Sequence, residues 1–90
     1  MVWYHGNMVT IERVQSGVRM ERRLLKVLKG LAEYLDISLG DLLEGVVLHA
    51  FERKLAFDEA TLATVEKLKQ VYGMDLTAAD SHYLSEQSSE

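Results

Sequence analysis

Residues 15–51, QSGVRMERRLLKVLKGLAEYLDISLGDLLEGVVLHAF, carry the pattern on which the fold turns. Within them Leu24, Leu28, Leu31 and Leu35 recur at spacings of four and three, which predicts a helix over 21–36 with one apolar stripe. Leu25 and Ala32 widen that stripe, and Arg22, Arg23, Lys26, Lys29 and Glu33 fill much of the rest. Gly30 costs about 1 kcal/mol against alanine in a helix interior, so its presence points to a close contact. A second helix is predicted over 38–55. Ser38 with Asp41 three positions later resembles a capping box. The body from Leu42 to Phe51 is apolar almost all round, and a helix of that kind is buried on more than one face.

Toward the N-terminus, residues 9–20 (VTIERVQSGVRM) are the strand candidate. Val9 and Ile11 alternate with Thr10 and Glu12, and Val18 and Met20 alternate with Gly17 and Arg19. The phase shifts around Val14 to Ser16, which leaves open one strand or two short pieces. A lone strand needs a partner for its backbone donors and acceptors. No second strand is visible in the chain, so the natural partner is the same strand of another copy. Residues 1–8 are expected to be a flexible arm, with Met8 a candidate start because the organised pattern begins after it.

Toward the C-terminus a third helix is predicted over 58–72, capped by Asp58 and followed by Gly73 in the left-handed position. Leu62, Val65, Leu68 and Tyr72 form one narrow stripe, so this helix should pack by one side. Thr77 with Asp80 should start a short fourth helix over 77–84, and the terminal SEQSSE is expected to be disordered. The chain thus divides into an arm (1–8), a main domain (9–55) and an acidic helical extension with its tail (56–90).

Composition bounds the rest. Ninety residues allow one domain, and the 48% apolar content is easier to bury if a second copy supplies half the core. There is no cysteine, so disulfides and thiolate metal sites are excluded. The apolar runs fall far short of the roughly 20 residues that span a bilayer, and the first residues lack a basic segment followed by an apolar one. Both features lead to the expectation of a cytoplasmic protein without membrane contact. The net charge is −4, but its distribution is uneven. Residues 1–54 carry eight Lys or Arg against seven acids, whereas 55–90 carry two against seven. Five cations and one acid lie within 19–29, and a local field matters more than net charge for a phosphate contact.

One strand, two helices and a second helix too apolar for a monomer follow one another here in the order of the ribbon-helix-helix family. Residues 15–51 resemble this MetJ/Arc/CopG-type DNA-binding superfamily without a gap. The resemblance implies a mostly α homodimer whose subunits pair their strands into an intermolecular antiparallel ribbon, with residues 58–72 as an extra C-terminal helix. It implies that Val18 and Met20 face the dimer core. Leu24, Leu28 and Leu31 of the first helix would join them, as would Leu42, Leu43, Val46, Val47, Ala50 and Phe51 of the second. Gln15, Gly17 and Arg19 would face the bases of a major groove, where Arg pairs with guanine and Gln with adenine. Phosphates would be anchored on the free amides of Ser38, Leu39 and Gly40, assisted by the helix dipole, with Arg22 and Arg23 adding contacts. The sequence departs from the family in three places. Gly17 offers no side chain at the middle reading position, Asp36 stands where glycine is common, and Asp41 adds a second negative charge near the phosphate site.

The expected function is a dimeric, sequence-specific, repressor-like regulator of transcription that binds double-stranded DNA through its β-ribbon. Two alternatives stay open: an antitoxin whose residues 56–90 bind a toxin, and a dimeric interaction module with no DNA role. No enzyme is expected, because the acids lie on separate helices with no nucleophile or base signature. Neither cofactor nor metal is expected; His5, His49 and His82 are too scattered for a metal site, and His49 reads as a core or interface residue.

Overall fold

The computed structural model describes residues 9–86, so the expected flexible arm over 1–8 and the last residues of the tail lie outside the described part. Three helices and a short 3-10 turn make up the regular structure: α1 (Arg22–Leu35), α2 (Leu39–Phe51), α3 (Glu59–Tyr72) and the turn at Ala78–Asp80.

Each helix starts on a side-chain cap. The Glu21 carboxylate accepts the Leu24 N–H at 2.9 Å, Ser38 Oγ accepts the Asp41 N–H at 3.0 Å, and the Asp58 carboxylate accepts the Thr61 N–H at 2.8 Å. These bonds satisfy amides that have no partner within the helix. Each helix is closed by a residue with positive φ, at the C-cap of α1 and α3 (Asp36, 59°; Gly73, 62°) and one residue past the C-cap of α2 (Arg53, 60°). The following amide reaches back to close the turn, Ile37 N–H to Ala32 O at 3.0 Å, Lys54 N–H to His49 O at 2.8 Å and Met74 N–H to Lys69 O at 2.8 Å. This is the Schellman arrangement. It explains why α2 stops at Phe51, short of the expected residue 55. The fourth helix expected over 77–84 is reduced to the 3-10 turn, opened by reciprocal bonds between Thr77 and Asp80.

α1 packs against both other helices. Val27, Leu31 and Ala32 are buried on it, with Leu42 of α2 and Met74 beyond α3. Leu28, Leu35, Ile37, Val46, Phe57, Val65 and Leu68 close around Leu31, Ala32 and Leu42. Gly30 makes the close contact that its position suggests. A Cβ there would lie 2.9 Å from Leu68 Cδ2, so glycine lets α3 approach. Lys26 Nζ sits 5.8 Å from the Tyr72 ring centroid on the same flank. The packed face of α3 centres on Thr61, Val65 and Leu68, while Leu62 and Tyr72, expected in the stripe, lie at its exposed edge.

The expected ribbon requires correction. Residues 9–20 form no strand, and no strand occurs among the described residues, so the architecture is a three-helix α assembly without the expected two-stranded ribbon. The physical reason lies in the chain itself: the alternation is broken at Val14–Ser16, and a single chain offers no second edge to complete a ladder. The expected dimer core is redistributed accordingly. Leu31 and Leu42 are the fully buried pair inside one chain, with Leu28 and Val46 packed on them. Met20, Leu24 and Leu43 are half-buried, and Val18, Val47, Ala50 and Phe51 are exposed. Among the described residues no helix is long and apolar enough to cross a membrane.

Candidate nucleic-acid interface

The residues expected to meet DNA fall into two adjoining open grooves. The first, of about 1020 Å³, lies between the segment 12–18 and the start of α2, and brings Gln15 and Gly17 together with Ser38, Leu39 and Gly40. The second is lined by Arg19, Arg22 and Arg23 on one side and by Leu76, Leu84, Ser85 and Glu86 on the other. Met20 borders both, and Lys29 belongs to the first. Arg22, Lys26 and Lys29 follow at spacings of four and three, so they share one stripe of α1. The two grooves are therefore joined by a line of cations.

Why the first groove keeps its shape is explained by a residue that the sequence pattern did not single out. Arg13 Nε donates to Glu44 at 3.0 Å, and its Nη2 donates to Glu44 at 2.9 Å and to Asp41 at 3.2 Å. This fork pins the N-terminal segment to the exposed side of α2. The Glu44 carboxyl is held below the usual carboxylate range by the Arg13 hydrogen bond, and the guanidinium of Arg13 is pushed up by the same contact. A signal was available: Arg13 is the one cation between positions 9 and 18, and Asp41 and Glu44 sit three apart on one helix face. The pairing also offsets the negative charge of Asp41 at the start of α2. Its charge is met by Arg13, one Ser38 lone pair is taken by the Asp41 amide, and the amides of Leu39 and Gly40 stay at the helix end. Asp36 holds a left-handed position at the end of α1, a conformation that Asp tolerates better than most residues.

In the second groove the three arginines differ. Arg22 is exposed, and no ion pair or hydrogen bond engages its side chain among the described residues. Arg19 is exposed and paired with Glu86. Arg23 is half-buried and committed: its Nη1 donates to Gly73 O at 2.9 Å and Asp75 at 3.0 Å, and its Nε to Glu21 at 3.1 Å. Glu21 in turn is held below the usual carboxylate range, first by the Leu24 amide and then by Arg23. Arg23 thus joins the first turn of α1 to the end of α3, whereas Arg19 and Arg22 remain at the surface. Neither family models nor curated proteins nor solved structures yield a match to the chain. Among the described residues no group of three or more His, Asp or Glu side chains is placed to hold a metal ion.

Proposed function

We propose that the chain is a cytoplasmic, dimeric DNA-binding regulator of transcription that meets phosphates and base edges with the start of α1 and the segment before it. The observation that carries this reading is the line of cations from Arg19 through Arg22 and Lys26 to Lys29, which runs past the exposed Gln15 and the open amide end of α2. Phosphate contacts need accessible Lys and Arg, and base reading needs polar side chains that protrude. Exposed Arg19 and Gln15 have the right chemistry for guanine and adenine. The reading keeps the two helices of the family resemblance and gives up the ribbon. Dimerisation is supported by Val47, Leu48 and Phe51, which leave one side of α2 apolar and solvent-facing at 44%, 62% and 79% exposure. Monomers rarely leave contiguous apolar patches of large size open to water.

The test is duplex binding by fluorescence anisotropy over a salt series. Affinity is expected to fall linearly on logarithmic axes, and Arg22→Ala, which removes one contact from each subunit, to flatten that slope by about 2. Arg19→Ala should weaken binding to a preferred sequence by about 1–3 kcal/mol and relax one base preference. Absence of binding to any duplex in a selected pool at low salt would overturn the proposal.

A further inference from the structure

We infer that the acidic segment after α3 is a built-in competitor for the basic start of α1, folded over it until a polyanion displaces it; this rests on the DNA-binding reading above. Past Gly73 the chain buries Met74 and then runs beside the first turn of α1, where Asp75 and the Gly73 carbonyl take Arg23. The 3-10 turn at Ala78–Asp80 then redirects it, fixed by the reciprocal Thr77–Asp80 bonds and the Tyr83 N–H to Asp80 O bond of 2.8 Å. It returns so that Leu84, Ser85 and Glu86 form the far wall of the groove whose near wall is Arg19, Arg22 and Arg23. Glu86 closes the path on Arg19.

Charge makes this arrangement more than incidental. Residues 74–86 hold three acids and no Lys or Arg, and the groove wall opposite them holds Arg19, Arg22 and Arg23 with one acid, Glu21. Two carboxylates thus occupy two of the three arginines that line the groove, at positions a phosphate oxygen would otherwise take. The contacts are also of the right strength to yield. Side chains of Glu86 and Asp75 are 62% and 83% exposed, so both pairs are screened by salt and weak individually. A duplex offering many phosphates can outcompete them, whereas a small anion cannot match the covalently tethered acids. The two anchors differ in kind. Asp75 follows directly on buried Met74 and stays with the body, while Glu86 lies at the far end of the turn and is the part free to lift.

The experiment compares duplex affinity of the intact chain, Glu86→Gln, Asp75→Asn/Glu86→Gln and a charge-matched control, Glu59→Gln/Glu66→Gln, which changes exposed acids of α3. Removal of each tail carboxylate is expected to tighten binding roughly 1.5- to 5-fold, with the control gaining less than the tail double variant. Side-chain Nε resonances of Arg19 and Arg23 should also shift in the free tail variants, and the Arg19 resonance of the intact chain should move toward its Glu86→Gln position when duplex is added. Thermal melts keep account of Asp75→Asn, and Glu86→Gln alone is the clean variant should that melt drop. Binding by the intact chain with no gain in the tail variants beyond the control overturns this inference and leaves the DNA reading standing. Failure of every form to bind duplex at low salt overturns both.

Discussion

The two flanks of α1 are finished to different degrees. On the α3 side the contacts are mutual: Gly30 admits Leu68, Lys26 covers Tyr72, and Arg23 ties the helix start to Gly73 and Asp75. On the α2 side one turn is closed, at Leu42, but the helix carries Val47, Leu48 and Phe51 outward, and the segment before α1 exposes Val9, Ile11, Val14 and Val18. One flank completes its burial within a single chain; the other presents apolar surface and a backbone without a ladder. That contrast locates the closed packing on the first flank and the open apolar surface on the second.

The largest effect should come from removing the α2 residue that is fully buried against α1. Leu42 is fully buried in one cluster with Leu31 and Ala32 of α1. Leu42→Ala is expected to destabilise by about 2–5 kcal/mol, since transfer and cavity terms add. Chemical denaturation should show this as a lower midpoint with unchanged slope. If the α2 side were only loosely held, the loss would be nearer that of a surface change.

Next comes a change confined to the finished flank. A Cβ at Gly30 meets only the end of the Leu68 side chain, which can swing aside, so Gly30→Ala sets a gain of about 1 kcal/mol in helix propensity against a small clash. A larger residue has no such escape. Gly30→Leu should cost about 1–3 kcal/mol and part α1 from α3, read by melting and by loss of amide protection in α3. On the open flank, Phe51→Ser is expected to leave the melt of dilute protein within about 0.5 kcal/mol, because Phe51 touches little in its own chain. Sedimentation should instead show weaker self-association. A large loss of stability at low concentration, with association unchanged, would reverse the assignment of the two flanks.

The contrast also shows which parts of the structure were legible in the sequence. Leucine spacing located α1 and α3 within a residue, and Ser38, Asp58 and Gly73 marked their own capping roles, because helix period and caps are local physics. Residues 9–20 were not legible in that way. A period-two pattern states a preference, but a strand exists only when a second edge pairs with it, and that information is not local. α2 was placed correctly but drawn too long, because nothing in the residue type of Arg53 announces a left-handed conformation. At the candidate site, Arg19, Arg22, Gln15 and Ser38 could be picked out by residue type. The roles of Arg13 and Arg23 were harder to read, since the partners that tie them to other helices lie 28 or more positions away: Asp41 and Glu44 for one, Gly73 and Asp75 for the other.

A smaller effect sharpens the comparison by substitution at a helix end. Arg53 holds a positive φ without being glycine, at the end of the open-flank helix. Arg53→Gly should stabilise by up to about 1 kcal/mol, since the strain of a side chain in that region is relieved. The equivalent change at Asp36 should gain less, because Asp tolerates this conformation better than Arg. Equal gains at both sites would mean that the strain lies in the turn and not in the residue.

The smallest expected effect separates the flanks by acid. Glu21 belongs to the closed flank and Glu44 to the open one, and both carboxyls are held below the usual range, Glu21 chiefly by the Leu24 amide and Glu44 chiefly by Arg13. A lowered folded value means the stabilisation is fully present above the ordinary glutamate value of about 4.3 and fades as pH falls through the folded one. Acid should therefore release the N-terminal segment from α2 and loosen the start of α1 in the same low range. Carbon-detected titration of the two side chains distinguishes their causes. Arg13→Ala should return Glu44 toward the ordinary value and leave Glu21 where it is, because the Glu21 cap is made by a backbone amide that no side-chain change removes. Were Glu21 to follow Glu44, the two flanks would be coupled through α1, and the division between them would be one of degree.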